Sequence, residues 1–164
     1  MTDKGRKWPG ILAGVFLLAS SATGAAVPLA QDLQKAGRQA EQYCAPVLLE
    51  FAAEYCDYCE LLEHEILDPT LLDRDYQRRV LMRKVMIDGN RRLRDFNGRM
   101  TDEARLAAHY KVWVTPTVLF VDSNGVEIAR RLVGVSSVDF YGGYLDTALD
   151  KSRRHLQEQG RCNP

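Results

Sequence analysis

The chain has no excess of charge of either sign, because 22 lysine and arginine residues balance 22 aspartate and glutamate residues. A chain without net charge has no general attraction for polyanions, so nucleic acid is not expected as a partner. Internal repeats and low-complexity segments are also absent from the sequence, which excludes a repeat architecture. The 164 residues are 46% hydrophobic, which is sufficient for one globular domain with a buried core.

Long apolar stretches are missing as well. Residues 11–19 form an apolar run of only nine residues, whereas a membrane-spanning helix needs roughly 20. Three basic residues precede this run within positions 4–7, and small residues follow it at 23–26. This order is typical of a secretory signal peptide. We therefore predict a signal peptide over 1–26 that is cleaved on export and leaves no stable membrane span; an uncleaved anchor is the alternative.

Cysteine is scarce, with four residues in the chain. In an exported protein they are expected to form pairs. Cys56 and Cys59 form a Cys-x-x-Cys motif, and Cys44 and Cys162 are left over. A zinc site is not expected, because structural zinc usually needs four ligands and the sequence has no second Cys-x-x-Cys or closely spaced Cys/His pair. No metal site is predicted.

The Cys-x-x-Cys motif follows a short apolar run that is typical of a buried strand. We predict that the two cysteines occupy the first turn of a helix, with Cys56 at its exposed N-terminal end. There the thiolate faces unpaired backbone N–H groups and the positive end of the helix dipole, which favour this reactive form. Cys59, one turn further in, is shielded and can attack a mixed disulfide formed on Cys56. The pattern indicates reversible disulfide exchange.

These features resemble the thioredoxin family. Glu50 stands six residues before Cys56, where that family carries a buried carboxylate that moves protons for the resolving cysteine. The segment 114–117 (Val-Thr-Pro-Thr) resembles the one whose cis-proline, here Pro116, packs against the dithiol. A hairpin over 118–128 completes the resemblance, which covers roughly 45–150.

The resemblance implies a single thioredoxin-like α/β domain whose central mixed β-sheet is flanked by helices on both faces. The expected divisions after the signal peptide are an N-terminal extension at 27–44 with a short helix, the domain at 45–158 and a tail at 159–164. Strands are expected over 45–53, 80–88, 118–121 and 126–132. Helices are expected over 31–42, 56–67, 69–77, 101–110 and 136–156.

An insertion at 89–100 departs from the short thioredoxin pattern. Its two glycines, two asparagines and four arginines favour a loop. Similar insertions occur in periplasmic thioredoxins associated with sulfur-oxidation systems, and this resemblance implies a periplasmic location. The loop is interpreted either as a partner-contacting segment near the dithiol or as a solvated segment whose arginines only aid solubility.

Thioredoxin topology also suggests a partner for each remaining cysteine. Cys44 precedes the central strand, at the end of the domain opposite the dithiol, and the last helix runs back towards that end. We therefore expect a structural disulfide between Cys44 and Cys162. The alternative is that both thiols are free or pair between molecules.

Several residues are expected around the dithiol. Thr115 should lie exposed beside it, and Tyr58, Thr115 and Trp113 are the candidate substrate-binding residues. Trp113 could equally belong to the core. A buried Glu50 is costly without a function or a partner, so the alternative to a proton shuttle is an ion pair with Lys84 or Arg83.

The acidic residues near the motif bear on the direction of electron flow. Glu54, Asp57 and Glu60 place negative charge around the Cys56 thiolate and oppose the helix dipole. A less stable thiolate favours the disulfide, which makes the dithiol the better reductant.

The sequence therefore predicts a periplasmic thiol–disulfide oxidoreductase that reduces disulfides in protein substrates. No bound cofactor is expected, because the Cys56–Cys59 dithiol carries the electrons. By family resemblance a membrane thiol relay supplies them, and the protein acts as a monomer. The alternatives are a disulfide oxidase or isomerase of the same fold, and a redox-passive binding module or metal chaperone.

Overall fold

The structure is a computed structural model, and it describes residues 25–162. The predicted signal peptide therefore lies, except for its last two residues, outside the described residues. Within them the helices are α1 (Leu33–Gln42), α2 (Asp57–Leu62), α3 (Asp68–Leu72), α4 (Glu103–His109) and α5 (Val138–Glu158). The strands are β1 (Val47–Ala52), β2 (Leu81–Met86), β3 (Arg92–Arg94), β4 (Met100–Asp102), β5 (Thr117–Val121) and β6 (Glu127–Val133).

Four strands form the central sheet, in the order β2-β1-β5-β6. Strand β1 runs parallel to β2 and antiparallel to β5, and β6 is antiparallel to β5. Every residue of β1 is buried, as its continuous apolar run predicts for a central strand. The predicted fold class, a single α/β domain with a mixed sheet, is confirmed.

The sheet separates two hydrophobic cores. On one face Leu49 and Phe51 of β1 pack with residues of α1 and α4. On the other face Leu48 packs with residues that follow the Cys-x-x-Cys motif and with α5. Because side chains alternate along a strand, Glu50 points towards the second core. The fold thus places one carboxyl group beneath the helix that begins at the dithiol.

The helix after the motif is less regular than predicted. A π-helical turn (Glu63–Leu67) joins α2 to α3, and the amide N–H of Asp68 donates to the carbonyl oxygen of Glu63, five residues back. Pro69 follows at the start of α3. Proline has no backbone N–H to donate, and its ring clashes with the preceding turn of a regular α-helix. The expected helix over 69–77 is wrong in length, since α3 ends at Leu72.

The prediction of a loop over the insertion is also wrong. Strands β3 and β4 pair as a small antiparallel sheet. Leu93 and Phe96 of the insertion are buried in the core that contains α1. The hairpin packs against one side of the domain, so the interpretation of this segment as a purely solvated loop is wrong. The next helix accordingly begins later than predicted, with Asp102 instead of Thr101 as its N-terminal cap.

The N-terminal extension is part of the same folded unit. Leu29 forms a bridge to Lys84 at the outer edge of β2, and Leu33 and Ala40 of α1 are buried in the core. At the far end of the chain Cys162 is disulfide-bonded to Cys44, with a Cα–Cα distance of 5.3 Å. No helix among residues 25–162 is long and apolar enough to cross a membrane.

The Cys44–Cys162 disulfide closes a loop of 118 residues and is expected to stabilise the fold mainly by restricting the unfolded chain. Replacing both cysteines with serine should lower the free energy of unfolding by about 2–4 kcal/mol. Denaturant unfolding under non-reducing conditions measures this. The Cys44–Cys162 disulfide lies at the start of β1, whereas the Cys56–Cys59 dithiol follows the end of that strand. The rate at which the protein reduces substrate disulfides should therefore be unchanged. Equal stability of the two proteins would contradict the prediction.

Candidate functional site

Cys56 and Cys59 are joined by a disulfide where β1 leads into α2, with a Cα–Cα distance of 5.2 Å. Cys56 is the N-terminal cap of α2, and its sulfur accepts the amide N–H of Cys59 at 3.2 Å. Cys56 is partly exposed and Cys59 is buried. The geometry therefore leaves the first cysteine partly accessible to solvent and shields the second.

The turn before the dithiol combines one hydrogen bond to the rest of the fold with an unusual backbone conformation. The amide N–H of Glu54 donates to Asp88 Oδ2 at 2.9 Å, which ties the turn to the segment after β2. Tyr55 then adopts a left-handed backbone conformation, with φ of +59°, a region that residues other than glycine rarely occupy. This conformation redirects the chain from the strand into the helix.

The Thr115–Pro116 segment lies against the dithiol. The peptide bond between these residues is cis, and Thr115 Oγ1 lies 3.5 Å from Cys56 Sγ. The carbonyl oxygen of Pro116 accepts the amide N–H of Gly134 at 2.8 Å. The connection before β5 is thereby fixed beside the exposed sulfur.

Exposed aromatic side chains belong to the segments that form the site. Tyr55 is 92% exposed, Trp113 is 73% exposed and Tyr58 is also exposed. Trp113 is thus not a core residue. Tyr55 was not identified from the sequence, since its exposure depends on the turn conformation. These side chains offer apolar contact area to a polypeptide bound at Cys56.

Glu50 is fully buried, and neither carboxyl oxygen has a hydrogen-bond partner within the described residues. Burial raises the pKa of Glu50 to about 8, with a further increase from the negative charge of Glu63 and an opposing effect of Lys84. The expected alternative, an ion pair with Lys84 or Arg83, is absent from the described residues. Lys84 pairs with Glu63, and Arg83 donates to the carbonyl oxygen of Met82.

Two further acidic residues of the site were missed by the sequence analysis. Asp88 supports the turn before the dithiol, and Glu63 holds Lys84. A signal for Glu63 existed, since it is four residues after Cys59 and so lies on the same helix face. Among residues 25–162, no group of three or more potential ligands is arranged for a metal ion.

Residues 32–149 match the family described as the thioredoxin-like domain. Among solved structures, a mutant thioredoxin from Halobacterium salinarum NRC-1 is similar, at 18% identity over 79% of this chain and 96% of that chain, with a TM-score of 0.52. Thioredoxin NaTrxh from Nicotiana alata is similar at 18% identity over 76% and 98%, with a TM-score of 0.50. At these identities the likeness concerns the fold. No curated protein sequence matches the chain.

The family match covers most of the chain, and the disulfide at Cys-x-x-Cys spacing lies where β1 meets the following helix. This combination supports a thiol–disulfide oxidoreductase. The chain belongs to the thioredoxin-like domain family.

Proposed function

We propose that the protein is an exported thiol–disulfide oxidoreductase that reduces disulfides in periplasmic protein substrates. The observation that carries this proposal is the pairing of a partly exposed Cys56 with a buried Cys59 at a helix start, beside Thr115 and Pro116. Such an arrangement supports attack by one thiol and release by the other.

In the reduced enzyme the Cys56 thiolate attacks one sulfur of a substrate disulfide. A bond forms between Cys56 and that sulfur, the substrate S–S bond breaks, and the other substrate sulfur leaves as a thiolate. Cys59 then attacks Cys56, which forms the Cys56–Cys59 disulfide and releases the second substrate sulfur. Two electrons pass from the dithiol to the substrate.

The second step needs a base, because Cys59 is buried and only its thiolate can attack. Glu50 is the proposed acceptor of the Cys59 proton. Its pKa of about 8, which is raised mainly by burial, lies near that of an ordinary thiol. A base matched in this way exchanges protons efficiently close to neutral pH.

The proposed substrate surface consists of Tyr58, Trp113 and Thr115, next to the buried cis-proline Pro116. By resemblance to the family, the backbone beside the cis-proline holds an extended substrate segment next to Cys56. Exposed aromatic rings on neighbouring segments suit protein substrates better than small thiols, because they supply contact area away from the reacting sulfur.

Acidic residues support the reducing direction. Asp57 and Glu60 are in the first turn of α2, where their negative charge offsets the stabilisation that the helix N-terminus gives to the Cys56 thiolate. Neither histidine nor proline lies between the two cysteines. The disulfide is then the favoured form of the enzyme, and a membrane thiol relay is the proposed electron donor that restores the dithiol.

Two observations support the proposed periplasmic location. The Cys44–Cys162 disulfide is remote from the dithiol, and structural disulfides persist in oxidising compartments. The N-terminal sequence has the order of a secretory signal. The insertion at 89–100 supports a relation to thioredoxins of sulfur-oxidation systems.

The reduction potential of the Cys56–Cys59 pair tests the direction of electron flow. Equilibration with glutathione followed by thiol alkylation should give a value near about −270 mV, as for thioredoxin. The variant with serine at both Cys44 and Cys162 should give the same value, which assigns the measured couple to the dithiol. A value near about −120 mV would mark a disulfide-inserting enzyme instead.

A further inference from the structure

Lys84 is positioned to neutralise Glu50 but forms its ion pair with Glu63 instead. The two residues are register partners on the parallel strands β1 and β2, so their side chains share a face of the sheet. The Lys84 Nζ atom nevertheless lies 2.7 Å from Glu63 Oε2, and each of these two side chains is only 18% exposed. Glu50 remains buried without a hydrogen-bond partner among the described residues.

Glu63 reaches Lys84 from the helix that carries the dithiol. It follows Cys59 by four residues, and its amide N–H donates to the carbonyl oxygen of Cys59. The two side chains therefore lie on the same face, one turn apart. Glu63 thus extends from the resolving cysteine's side of the helix towards the strand pair that carries Glu50.

We propose that Glu63 is a positioning residue for Glu50. By holding the Lys84 ammonium group in an ion pair, it leaves the Glu50 carboxyl without a cationic partner and keeps it basic enough to accept the Cys59 proton. The consequence for turnover rests on the proposed function, whereas the effect on Glu50 itself does not.

The surroundings of Glu50 agree with this role. Burial is the largest cause of its raised pKa, the charges of Glu63 and Asp68 raise it further, and Lys84 lowers it. The charged groups that act on it are Glu63 of the π-helical turn, Asp68 of α3 and Lys84 of β2, and Tyr141 of α5 lies in the same core. The Tyr141 hydroxyl is neutral and also lacks a partner within the described residues, so Lys84 is the cation of this group.

Direct titration of the Glu50 carboxyl in the oxidised full chain tests the proposal, with carbon NMR of the carboxyl as the readout. Glu63→Gln should shift the midpoint down by about one pH unit or more, because it removes a negative charge and frees Lys84 to pair with Glu50. Lys84→Gln should shift it up, because Glu63 then acts on Glu50 unopposed. Glu65→Gln is the matched control, since that side chain is 50% exposed and contacts His64.

The opposite shifts in Glu63→Gln and Lys84→Gln, with none in Glu65→Gln, would support the inference. If Glu63→Gln does not fold, Glu63→Asp tests it instead, because the shorter side chain loosens the ion pair with Lys84 and should also shift the midpoint down. Unchanged midpoints, or shifts in the same direction, would overturn it whether or not the protein reduces disulfides. Opposite shifts in a protein that does not reduce insulin would overturn the proposed function and leave the role of Glu63 intact. In an active enzyme, the pH midpoint of turnover should move down with Glu63→Gln.

Discussion

Replacing Cys56 with serine is expected to abolish the reduction of insulin disulfides, with a rate equal to that of the protein-free control. The hydroxyl of serine is not ionised near neutral pH and cannot form the mixed disulfide, so the first step is lost entirely. Cys56 is also the sulfur that the fold leaves accessible, since Cys59 is buried. Turbidity from precipitating insulin chains measures the rate.

Cys59→Ser should separate the two steps of the same reaction. The Cys56 thiolate still attacks, but no second thiol releases the product, so mixed disulfides with substrate proteins accumulate. Non-reducing electrophoresis of periplasmic extracts would show them as bands that disappear on reduction. The matched control is the variant with serine at both Cys56 and Cys59, which should form no mixed disulfide with any substrate protein. Full activity of Cys56→Ser would contradict the assignment of Cys56 as the attacking thiol, and a Cys59→Ser variant that captures no protein would favour a redox-passive binding module.

The features that the sequence predicted well are those decided by local chemistry. Strand β1 is buried at every position, and a short apolar run carries that information without distant contacts. The turn between β5 and β6 is similar, because Asp122 Oδ1 accepts the amide N–H groups of Asn124 and Val126. Gly125 there has φ of +82°, a conformation that favours glycine.

The hairpin of β3 and β4 could not be recognised in this way. Leu93 is one apolar residue between two arginines, and three residues are too few to establish an alternating pattern. Its burial depends on α1, which comes from a distant part of the chain. Composition alone therefore favoured a loop where the tertiary contacts produce a strand.

The ion pair of Glu63 with Lys84 is non-local in the same sense. The sequence offers Lys84 as a partner for Glu50, and the register of β1 and β2 does bring those residues side by side. Whether Lys84 contacts Glu50 or Glu63 depends on how the helical segment after the dithiol packs against the sheet. No local sequence pattern reports which of two carboxylates a lysine contacts. The pairing of Cys44 with Cys162 is instead predictable from thioredoxin topology, because the fold class fixes at which end of the domain each helix and strand ends.

The buried carboxyl should also govern how stability depends on pH. The pKa of Glu50 rises from its ordinary value of 4.5 to about 8 in the fold, mainly through burial. Between these values the folded chain keeps a proton that the unfolded chain has lost, so stability falls as pH rises and the full cost is reached above about pH 8. At about 1.4 kcal/mol per unit, this difference corresponds to a loss of up to about 5 kcal/mol of unfolding free energy.

Glu50→Gln should remove this dependence, because the amide does not ionise in either state. Urea unfolding of the oxidised proteins at a series of pH values from 4.5 to about 8.5 would measure it, and the variant should become progressively more stable than the parent as pH rises. Glu65→Gln, an exposed change, should follow the parent throughout. Parallel curves for Glu50→Gln and the parent would mean that Glu50 is ionised in the folded protein near pH 5. A carboxylate already charged under those conditions would be too weak a base for the Cys59 thiol, so the same experiment bears on the proton transfer assigned to Glu50.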